Sequence, residues 1–372
     1  MNFDFSDEQR LLVDSVGKLL AGTYSFDQRR HYLAAPLGRD PGLWQTFAEA
    51  GLTALPFTEE DGGIGGGTEE TMIVMEALGR VLAVEPFLPL VIGGTVLNRL
   101  ATPLQRADLL PGIIAGETVL AFAHDEPGTP CTDRIATRAQ AAGDGYILSG
   151  AKTRVLFADS ATLLLITASI GAETAIFAVP ADAPGLACHA YPTQDGMRAA
   201  DLTLNDVHLP ASARLGNGAD ARSALLHALD GAVAALCAEA VGIMQATLDM
   251  TVEYLKTRKQ FGRAIGDFQA LQHRAAEMVV EIEQARSMAI YAAMMARGDD
   301  ETTRARAISA AKVQIGQSGR IIGQSAVQLH GGIGMTAEYP VGACFKRLTM
   351  IEKAFGDTDW HIERLIRLGG AL

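Results

Sequence analysis

Apolar residues in the first third of the chain recur every three or four positions, which is the spacing of an amphipathic α-helix. The first run of this kind has its apolar positions at Leu11, Leu12, Val16, Leu19 and Leu20. Ser6 precedes this run and is followed three residues later by Gln9, a pairing typical of a capping box at a helix start. A glycine-rich stretch at residues 62–67 interrupts the pattern, and Thr68 is then predicted to cap another helix. The pattern predicts an α-helical domain over residues 1–117.

The pattern changes near residue 118 to short runs of β-branched and apolar residues. Such runs occupy residues 119–123, 135–141, 145–148, 161–167, 174–179 and 201–209. Glycine, proline, aspartate or asparagine separates one run from the next, as expected of strands joined by turns. The sequence therefore predicts an antiparallel β domain over residues 118–220.

Helical spacing returns after this region and continues to the end of the chain. Residues 225–257 contain no proline and are rich in apolar residues, and two further long helices are predicted at 268–296 and 301–330. Long helices with short connections favour an antiparallel bundle, here over residues 221–372. Because the order is helices, strands and helices without β-α-β alternation, the pattern argues against a Rossmann fold. The predicted fold class is mainly α with a central β domain.

The composition narrows the classes of partner more than it narrows the fold. The 372 residues are 48% apolar, and 31 Lys and Arg face 43 Asp and Glu for a formal net charge of −12. This length suits two or three domains. The negative charge disfavours nucleic acid and anionic membrane surfaces as partners. The acidic N-terminus has no signal-peptide pattern, and no stretch reaches the ~18 continuous apolar residues of a membrane span, so we expect a cytoplasmic location.

The four cysteines give no sign of a metal site or of a disulfide framework. Cys131, Cys188, Cys237 and Cys344 are far apart in sequence, form no Cys-x-x-Cys pair and have no histidine at metal-ligand spacing. We expect reduced thiols and no bound metal.

Two glycine-containing polar segments interrupt the helical last third. In the first, residues 258–263, the cations Arg258, Lys259 and Arg263 lie beside a glycine, a combination able to hold a pyrophosphate. The same residues would also suit a plain basic helix C-terminus, which complements the helix dipole. In the second, residues 328–335, the glycines directly follow a predicted helix and by themselves indicate only a C-cap. Residue chemistry leaves these alternatives open.

The two segments together, in this order and at this separation, are far more specific for one protein family than either segment alone. Residues 254–269 and 328–340 resemble the two C-terminal signatures of the acyl-CoA dehydrogenase family. Further matches to that family lie at residues 62–63, 76–80, 126–127, 150–152 and 206–210. The resemblance covers nearly the whole chain.

The resemblance implies a three-domain fold with an N-terminal α-helical domain, a middle antiparallel β-barrel and a C-terminal four-helix bundle that drives oligomerisation. It also implies FAD bound between the β domain and the bundle, with its pyrophosphate and adenine contacting a neighbouring subunit. The cofactor-binding residues by motif position are Arg258, Gln260, Phe261 and Gln269 on one side of that contact, Gln328, Leu329 and Gly332 on the other, and Thr358 nearby. Asp125 falls close to the expected polar edge of the flavin.

The reaction of the family is α,β-dehydrogenation of an acyl-CoA thioester, in which a desolvated carboxylate removes the α-proton. In many members this glutamate lies in a Tyr-Glu-Gly-Thr segment, and the aligned residues 355–358 place Gly356 at its position. Asp357 lies one residue further along and is one candidate base. In other members the base lies on the first bundle helix, where Ala232 is the matching residue. Glu239 lies about two helical turns beyond it on a similar face, and would be either the base or a buried partner of an arginine.

The β domain also departs from the family pattern. Residues 154–156, Arg-Val-Leu, stand where many members place Trp-Ile-Thr over the flavin. An acid at Asp125 would disfavour reduced anionic flavin unless it is paired or turned away, and His124 is a candidate partner. Residues 130–132, Pro-Cys-Thr, replace a usual Gly-Ser-Asp at the expected contact to the substrate phosphate. The motifs that the family uses for cofactor binding and for the helix bundle are therefore present, whereas several active-site residues differ from the family pattern.

This combination resembles the small or beta-type subunits of bacterial heteromeric acyl-CoA dehydrogenases, in which one subunit supplies the base and the other completes the FAD sites. Two versions of an acyl-CoA dehydrogenase passing electrons to electron-transfer flavoprotein are open: a self-sufficient homotetramer, or one subunit type of a heterotetramer. The alternatives are a catalytically silent scaffold that binds FAD or acyl-CoA, and an acyl-CoA oxidase or flavin monooxygenase of the same fold. Small residues at Gly231, Ala232 and Val233 suit a bulky or branched acyl group.

Overall fold

The computed structural model describes residues 5–128, 135–216 and 220–369. Their α-helices are α1 (Asp7–Thr23), α2 (Phe26–Ala34), α3 (Pro41–Glu49), α4 (Thr68–Val81), α5 (Phe87–Leu100), α6 (Pro103–Ile114), α7 (Ala221–Thr257), α8 (Gln269–Ala296), α9 (Glu301–His330), α10 (Pro340–Lys353) and α11 (Thr358–Arg367). Their β-strands are β1 (Leu120–Ala123), β2 (Arg138–Ala142), β3 (Gly145–Leu156), β4 (Leu163–Ile170), β5 (Glu173–Pro180), β6 (Leu186–Pro192), β7 (Arg198–Pro210), β8 (Lys259–Gln260) and β9 (Arg263–Ala264). Helices therefore precede and follow a group of strands, in the order that the hydrophobic pattern predicts.

The residues group into two compact units, each built from distant parts of the chain. The first unit comprises Met1–His31, Thr68–Ala83 and Val233–Leu372, and the second comprises Tyr32–Gly67 and Val84–Ala232. The first unit holds α1, α4 and α8 to α11, and the second holds the main sheet with α3, α5 and α6. The division into domains after residues 117 and 220 follows the secondary structure and stays a prediction.

The main sheet of the described residues has its strands in the order β1-β4-β2-β3-β7-β6, with β5 paired to β4. Most neighbours are antiparallel, as the turn-rich spacing predicts. Two pairings differ, because β4 runs parallel to β1 and to the end of β2. The β2–β3 hairpin lies between β1 and β4 in the sequence, so the chain returns to the edge of β1 in the same direction.

Strand β6 is absent from the sequence prediction. Its side chains are mostly exposed or half-buried, so they lack the alternation of apolar and polar residues that marks a half-buried strand. It lies at one end of the strand order and finishes at Pro192, which suits an edge because proline cannot donate a ladder hydrogen bond. Backbone pairing with β7, rather than burial of its side chains, therefore defines this strand.

The core of the second unit is formed by residues of the sheet. Its buried cluster includes Leu148, Ile166, Phe177, Leu202, Leu204 and Val207. Buried and exposed residues alternate along β7 until Asp206, where the backbone has φ +52° and the register against β3 shifts near Gly150. This irregularity returns Val207 and Leu209 to the buried face, so the strand keeps its contribution to the core.

Helix α7 is long and apolar enough to cross a membrane by length and composition. In the structure, 83% of its most apolar stretch is buried inside the protein, so packing against protein accounts for that composition. The helix starts at Ala221 and ends at Thr257, which agrees with the predicted end.

The predicted capping box at the start of α1 is confirmed. Ser6 Oγ accepts a hydrogen bond from the backbone N–H of Gln9 at 3.1 Å, and Gln9 Oε1 accepts from the N–H of Ser6 at 3.0 Å. The predicted cap at Thr68 is wrong, because Thr68 is the first residue of α4 and its hydroxyl donates to the carbonyl oxygen of Ala293 at 2.6 Å. That hydroxyl links α4 to α8 instead of closing its own helix.

Two glycines let α4 and α7 approach backbone to backbone. A Cβ added at Gly79 would lie 2.1 Å from the carbonyl oxygen of Glu239, and one added at Gly242 would lie 2.0 Å from the carbonyl oxygen of Glu76. Real Cβ atoms do not approach a carbonyl oxygen this closely, so any larger residue forces the helices apart.

We expect Gly242→Ala to lower the free energy of unfolding by ~3 kcal/mol, because the backbone of α4 must move to admit the methyl group. Gly231→Ala on the same helix is the matched control, since a Cβ there meets nothing within 4 Å. It should raise stability by about 0.5–1 kcal/mol through the better helix propensity of alanine. Urea unfolding of both variants measures the difference, and equal effects of the two substitutions would contradict the close approach.

Candidate functional site

The segment that follows α7 folds into a hairpin whose polar side chains lie in solvent. Strands β8 and β9 pair antiparallel, and the N–H of Ile265 donates to the carbonyl oxygen of Arg258 at 2.9 Å. Arg258, Lys259, Gln260 and Arg263 are exposed. The N–H of Arg258 still closes the last turn of α7 by donating to the carbonyl oxygen of Tyr254 at 2.8 Å, so a basic helix C-terminus describes this residue. Lys259 and Arg263 lie beyond the helix, in the two strands of the hairpin.

Aromatic contacts connect the hairpin to the residue that precedes α8. Phe261 at the tip has φ +52° and is 89% exposed, a costly combination for a large apolar residue. Its ring meets that of Phe268 edge-on at 6.1 Å, and the Arg263 guanidinium lies 4.1 Å from the centre of the Phe268 ring. Gln269 follows directly as the first, exposed residue of α8. The hairpin therefore presents a positively charged surface with an exposed aromatic ring.

The second polar segment closes α9 with a glycine turn. Gln328 is exposed, whereas Leu329 is buried and can offer only backbone atoms to a ligand. Gly331 has φ +62°, and a Cβ added at Gly331 or Gly332 would meet nothing within 4 Å. The turn thus leaves open space beside its backbone, as close approach of a phosphate group requires.

The structure brings the two segments together through an aromatic cluster that the sequence analysis did not identify. The Tyr254 ring, one turn before Arg258, stacks on the His330 ring with 4.6 Å between centres, and Tyr339 lies 5.0 Å from His330. His330 is buried, its Nδ1 lies 2.8 Å from the carbonyl oxygen of Ala326, and burial lowers its pKa. These three rings lie within the two signatures, so the motifs themselves could have predicted that the segments meet.

Glu239, one of the two candidate bases, is a buried partner of an arginine. Its Oε1 accepts from Nε of Arg347 at 2.6 Å and its Oε2 accepts from Nη2 at 2.8 Å, with both side chains under 10% exposed. A general base needs a carboxylate oxygen that is free to approach the α-proton, and here both oxygens are engaged by one guanidinium. Of the two alternatives for Glu239, the geometry favours the structural one.

Asp357, the other candidate base, caps a helix. Its Oδ1 accepts from the N–H of Trp360 at 3.0 Å, and its Oδ2 accepts from Nζ of Lys353 at 3.0 Å. These two interactions lower the pKa of Asp357, whereas proton abstraction at neutral pH needs a raised one. Thr358 begins α11, and its N–H donates to Oε1 of Glu352 at 3.3 Å. The geometry therefore argues against Asp357 as the base.

In the second unit, Asp125 is paired across the sheet. Its Oδ2 accepts from Nη2 of Arg154 at 2.9 Å, so the acid expected near the flavin carries a cation from the segment that replaces Trp-Ile-Thr. Arg154 itself has φ +54° in an irregular part of β3, where Asp201 accepts from its N–H at 3.2 Å and from the Thr153 hydroxyl at 2.6 Å. His124, the candidate partner named from the sequence, is buried, and its Nδ1 lies 3.2 Å from the Thr167 hydroxyl.

A buried ion pair anchors the same region. Nζ of Lys152 donates to Oε1 of Glu126 at 2.8 Å and to the Thr167 hydroxyl at 2.9 Å, with almost no exposure of either charged group. Burial raises the pKa of Glu126, but hydrogen bonds from Lys152 and Thr137 outweigh it and lower the value to about 2. Burial lowers the pKa of Lys152 to about 8 against the opposing effect of Glu126, so the ammonium is charged at neutral pH.

Within the described ranges there is no group of three or more His, Cys, Asp or Glu residues able to hold a metal ion. Cys188, Cys237 and Cys344 are free thiols, and Cys131 lies outside the described residues, as do residues 130 and 132. Burial raises the pKa of Cys237 to about 12 and that of Cys344 to about 11, so neither thiol is reactive at neutral pH.

Comparison with known proteins agrees with this architecture. Residues 6–117 match the family model for the acyl-CoA dehydrogenase N-terminal domain, and residues 223–368 match the model for the acyl-CoA dehydrogenase C-terminal domain. The probable acyl-CoA dehydrogenase YngJ of Bacillus subtilis is 31% identical over 98% of each chain.

Two solved structures are similarly close. A variant of the Tcur3481-Tcur3483 steroid ACAD is 31% identical with a TM-score of 0.89, covering 97% of each chain. The ChsE4-ChsE5 complex from Mycobacterium tuberculosis is 26% identical with a TM-score of 0.89, covering 99% of this chain and 98% of that one. This chain therefore belongs to the acyl-CoA dehydrogenase family of oxidoreductases, and the predicted three-domain fold of that family is confirmed.

Proposed function

We propose that this chain is the subunit without a catalytic base in a heterotetrameric, FAD-dependent acyl-CoA dehydrogenase. The observation that carries the proposal is the state of the candidate bases: position 356 is a glycine, Glu239 is paired with Arg347, and Asp357 caps α11. Carboxylates whose oxygens are engaged in this way are not positioned to take an α-proton, so the base belongs to a related partner chain. Similarity to the ChsE4-ChsE5 complex, which joins two named polypeptides, supports this assignment.

We assign the FAD pyrophosphate and adenine to the surface formed by the hairpin and the turn after α9. Arg258 supplies charge, and Gly332 together with the backbone of Leu329 permits close approach. Phe261 offers an exposed ring for stacking. Gln260, Gln269 and Gln328 supply exposed amides. Thr358, assigned to the same cofactor by motif position, lies at the start of α11 beside Gly316. When bound, FAD accepts the hydride from the β-carbon of the thioester.

On the sheet, we propose that Arg154 compensates the negative charge of Asp125. An unpaired carboxylate there would repel reduced anionic flavin, and the ion pair removes that repulsion. The electron acceptor and the location complete the proposal. Electrons from the reduced enzyme pass to electron-transfer flavoprotein, and we place the protein in the cytoplasm.

The small residues Gly231, Ala232 and Val233 suit a bulky acyl group, and similarity to a protein described as a steroid ACAD favours a ring-bearing one. Ring-bearing thioesters should therefore be better substrates than short straight-chain ones.

A second candidate function is a silent scaffold that binds FAD or acyl-CoA and stabilises a partner. The observation in its favour is that Leu156 and Arg154 stand where the family places a threonine and a tryptophan beside the flavin. The two functions differ in one respect: removal of flavin from this chain abolishes turnover of the complex only if the chain completes a working site.

The decisive experiment is an anaerobic visible spectrum of the protein purified alone and then together with a related, base-bearing acyl-CoA dehydrogenase subunit. We expect no acyl-CoA thioester to bleach the flavin of the chain alone, and at least one to do so in the complex. Bleaching by the isolated chain would contradict the proposal and would show a base within it. Rapid reoxidation by oxygen would indicate an oxidase or a monooxygenase.

Arg258→Met is expected to weaken flavin binding about tenfold, because one charge-assisted hydrogen bond to the pyrophosphate is lost. Arg30→Met is the matched control, since Arg30 is also exposed and lies outside both signatures. Flavin content after dialysis, measured at equal protein concentration, should fall for the first variant and stay unchanged for the second. Loss of turnover in parallel with flavin supports an enzyme subunit, whereas retained turnover of the complex supports the scaffold.

A further inference from the structure

The loop between α10 and α11, residues 354–357, accepts hydrogen bonds from a buried lysine. Lys312 on α9 is 1% exposed, and its Nζ donates to the carbonyl oxygens of Ala354 at 2.6 Å and Gly356 at 2.8 Å. A third contact of 3.3 Å reaches the carbonyl oxygen of Glu352 in the last turn of α10. One ammonium thus satisfies carbonyl groups of both the helix end and the loop.

A buried histidine also contacts the loop. His361 is fully buried, with Nε2 3.1 Å from the carbonyl oxygen of Phe355 and Nδ1 3.1 Å from the Ser309 hydroxyl. Because a carbonyl oxygen only accepts, Nε2 carries the hydrogen and Nδ1 accepts from Ser309. Burial, together with the nearby charge of Lys312, lowers the pKa of His361 to about 3, so the ring is neutral in this arrangement.

Within this fixed loop, the space above Gly356 is filled. Gly356 has φ +99°, and a Cβ added there would lie 2.5 Å from Cε3 and 2.9 Å from Cδ2 of Trp360 and 3.1 Å from Nε2 of His361. Cε3 and Cδ2 belong to the rigid indole rather than to a flexible end. The indole is held in turn by the His361 ring at 4.7 Å and by the guanidinium of Arg364 at 5.7 Å.

We propose that Trp360 occupies the volume into which a side chain at position 356 would extend, so that this loop excludes the base it holds in other family members. The inference rests on the proposed function and specifies why the chain depends on a partner: one substitution at 356 cannot restore a carboxylate there. We assign Trp360 a packing role only, through its ring contacts with His361 and Arg364. Gly356 and Trp360 are therefore energetically coupled.

A double-mutant cycle on the full chain tests the coupling. Gly356→Ala should lower the melting temperature by about 6 °C in the natural background and by less than half as much in a Trp360→Ala background. Gly51→Ala measures backbone strain alone, because Gly51 has φ +79° and nothing lies within 4 Å of a Cβ there. Equal losses in the two backgrounds would overturn the proposal. If Gly356→Ala yields no folded protein, recovery of folded protein in the double variant supports it, and failure of both overturns it.

Tryptophan fluorescence gives a second readout that general destabilisation does not move. The chain has two tryptophans, so a Trp44→Phe background leaves Trp360 as the single indole. Adding Gly356→Ala should displace that indole and shift its emission to the red at temperatures where the protein is folded, and unchanged emission would overturn the proposal. Neither readout uses flavin or thioester. Bleaching by the isolated chain would therefore contradict the proposed function without affecting the coupling between Gly356 and Trp360. Absence of that coupling would overturn this inference without affecting the proposed function.

Discussion

Replacing Arg347 with methionine is expected to lower the free energy of unfolding by about 3–5 kcal/mol, which is the usual cost of leaving one charge of a buried pair behind. The guanidinium of Arg347 binds both oxygens of Glu239, and neither side chain is more than 9% exposed. Without that cation, the carboxylate must stay desolvated or take up a proton. Urea unfolding at neutral pH measures the loss.

Two further variants separate the pair from its surroundings. Adding Glu239→Leu to Arg347→Met should recover most of the stability, because both charges are then gone from the interior. Asp249→Asn is the matched control on the same helix, since its pair with Arg80 is about half exposed and should contribute at most about 1 kcal/mol. An unchanged stability of Arg347→Met would show that Glu239 is not held by this pair, and would return it to the list of candidate bases.

Lys152→Met is expected to cost about 3–5 kcal/mol in the second unit, again because a buried carboxylate loses its cation. Glu126 keeps hydrogen bonds from the N–H groups of Ala136 at 2.6 Å and Thr137 at 2.9 Å, so it stays inside the protein after the substitution. The double variant Lys152→Met with Glu126→Gln should recover part of this loss. Asp125→Asn, in the more exposed pair with Arg154, serves as the control and should cost no more than about 1 kcal/mol.

The same pair gives stability a defined pH dependence. The pKa of Glu126 is about 2 in the folded protein and 4.5 in an ordinary environment. A carboxylate with a lowered pKa stabilises the fold fully above its ordinary value and loses that contribution as the pH falls toward the folded value. The expected loss between pH 4.5 and pH 2 is about 3 kcal/mol for this group. Lys152→Met should flatten that dependence, and an unchanged slope would contradict the pairing.

Much of the fold was open to prediction because it is local. The helices α7 to α9 have long, regular apolar spacing, and their ends fall within a few residues of the predicted ones. What escaped prediction depends on pairing between distant segments. Strand β6 exists through its bonds to β7, and the parallel pairing of β1 with β4 depends on a hairpin inserted between them. No local pattern encodes such partners.

The candidate site was predictable in residue type and not in residue environment. The exposed hairpin at Arg258 and the glycine turn at Gly332 lie where the motifs indicate. Glu239 and Asp357 are carboxylates of the required kind, yet the partner of the first is 108 residues away and the second is engaged by its own helix. A sequence shows that an acid is present, whereas its proton affinity depends on neighbours that only the fold supplies.

The first unit combines segments from both ends of the chain, so it cannot finish folding until translation is almost complete. The hydroxyl of Thr68 bonds to the carbonyl of Ala293, 225 residues later, and Glu76 pairs with Arg286, 210 residues later. At about 5–20 residues per second, translation needs about 10–45 s to deliver those partners. During that interval α4 can pack on α1, but its surfaces for α7 and α8 have no native partner. Nascent chains that end before these helices should therefore engage holdase chaperones that the finished protein does not.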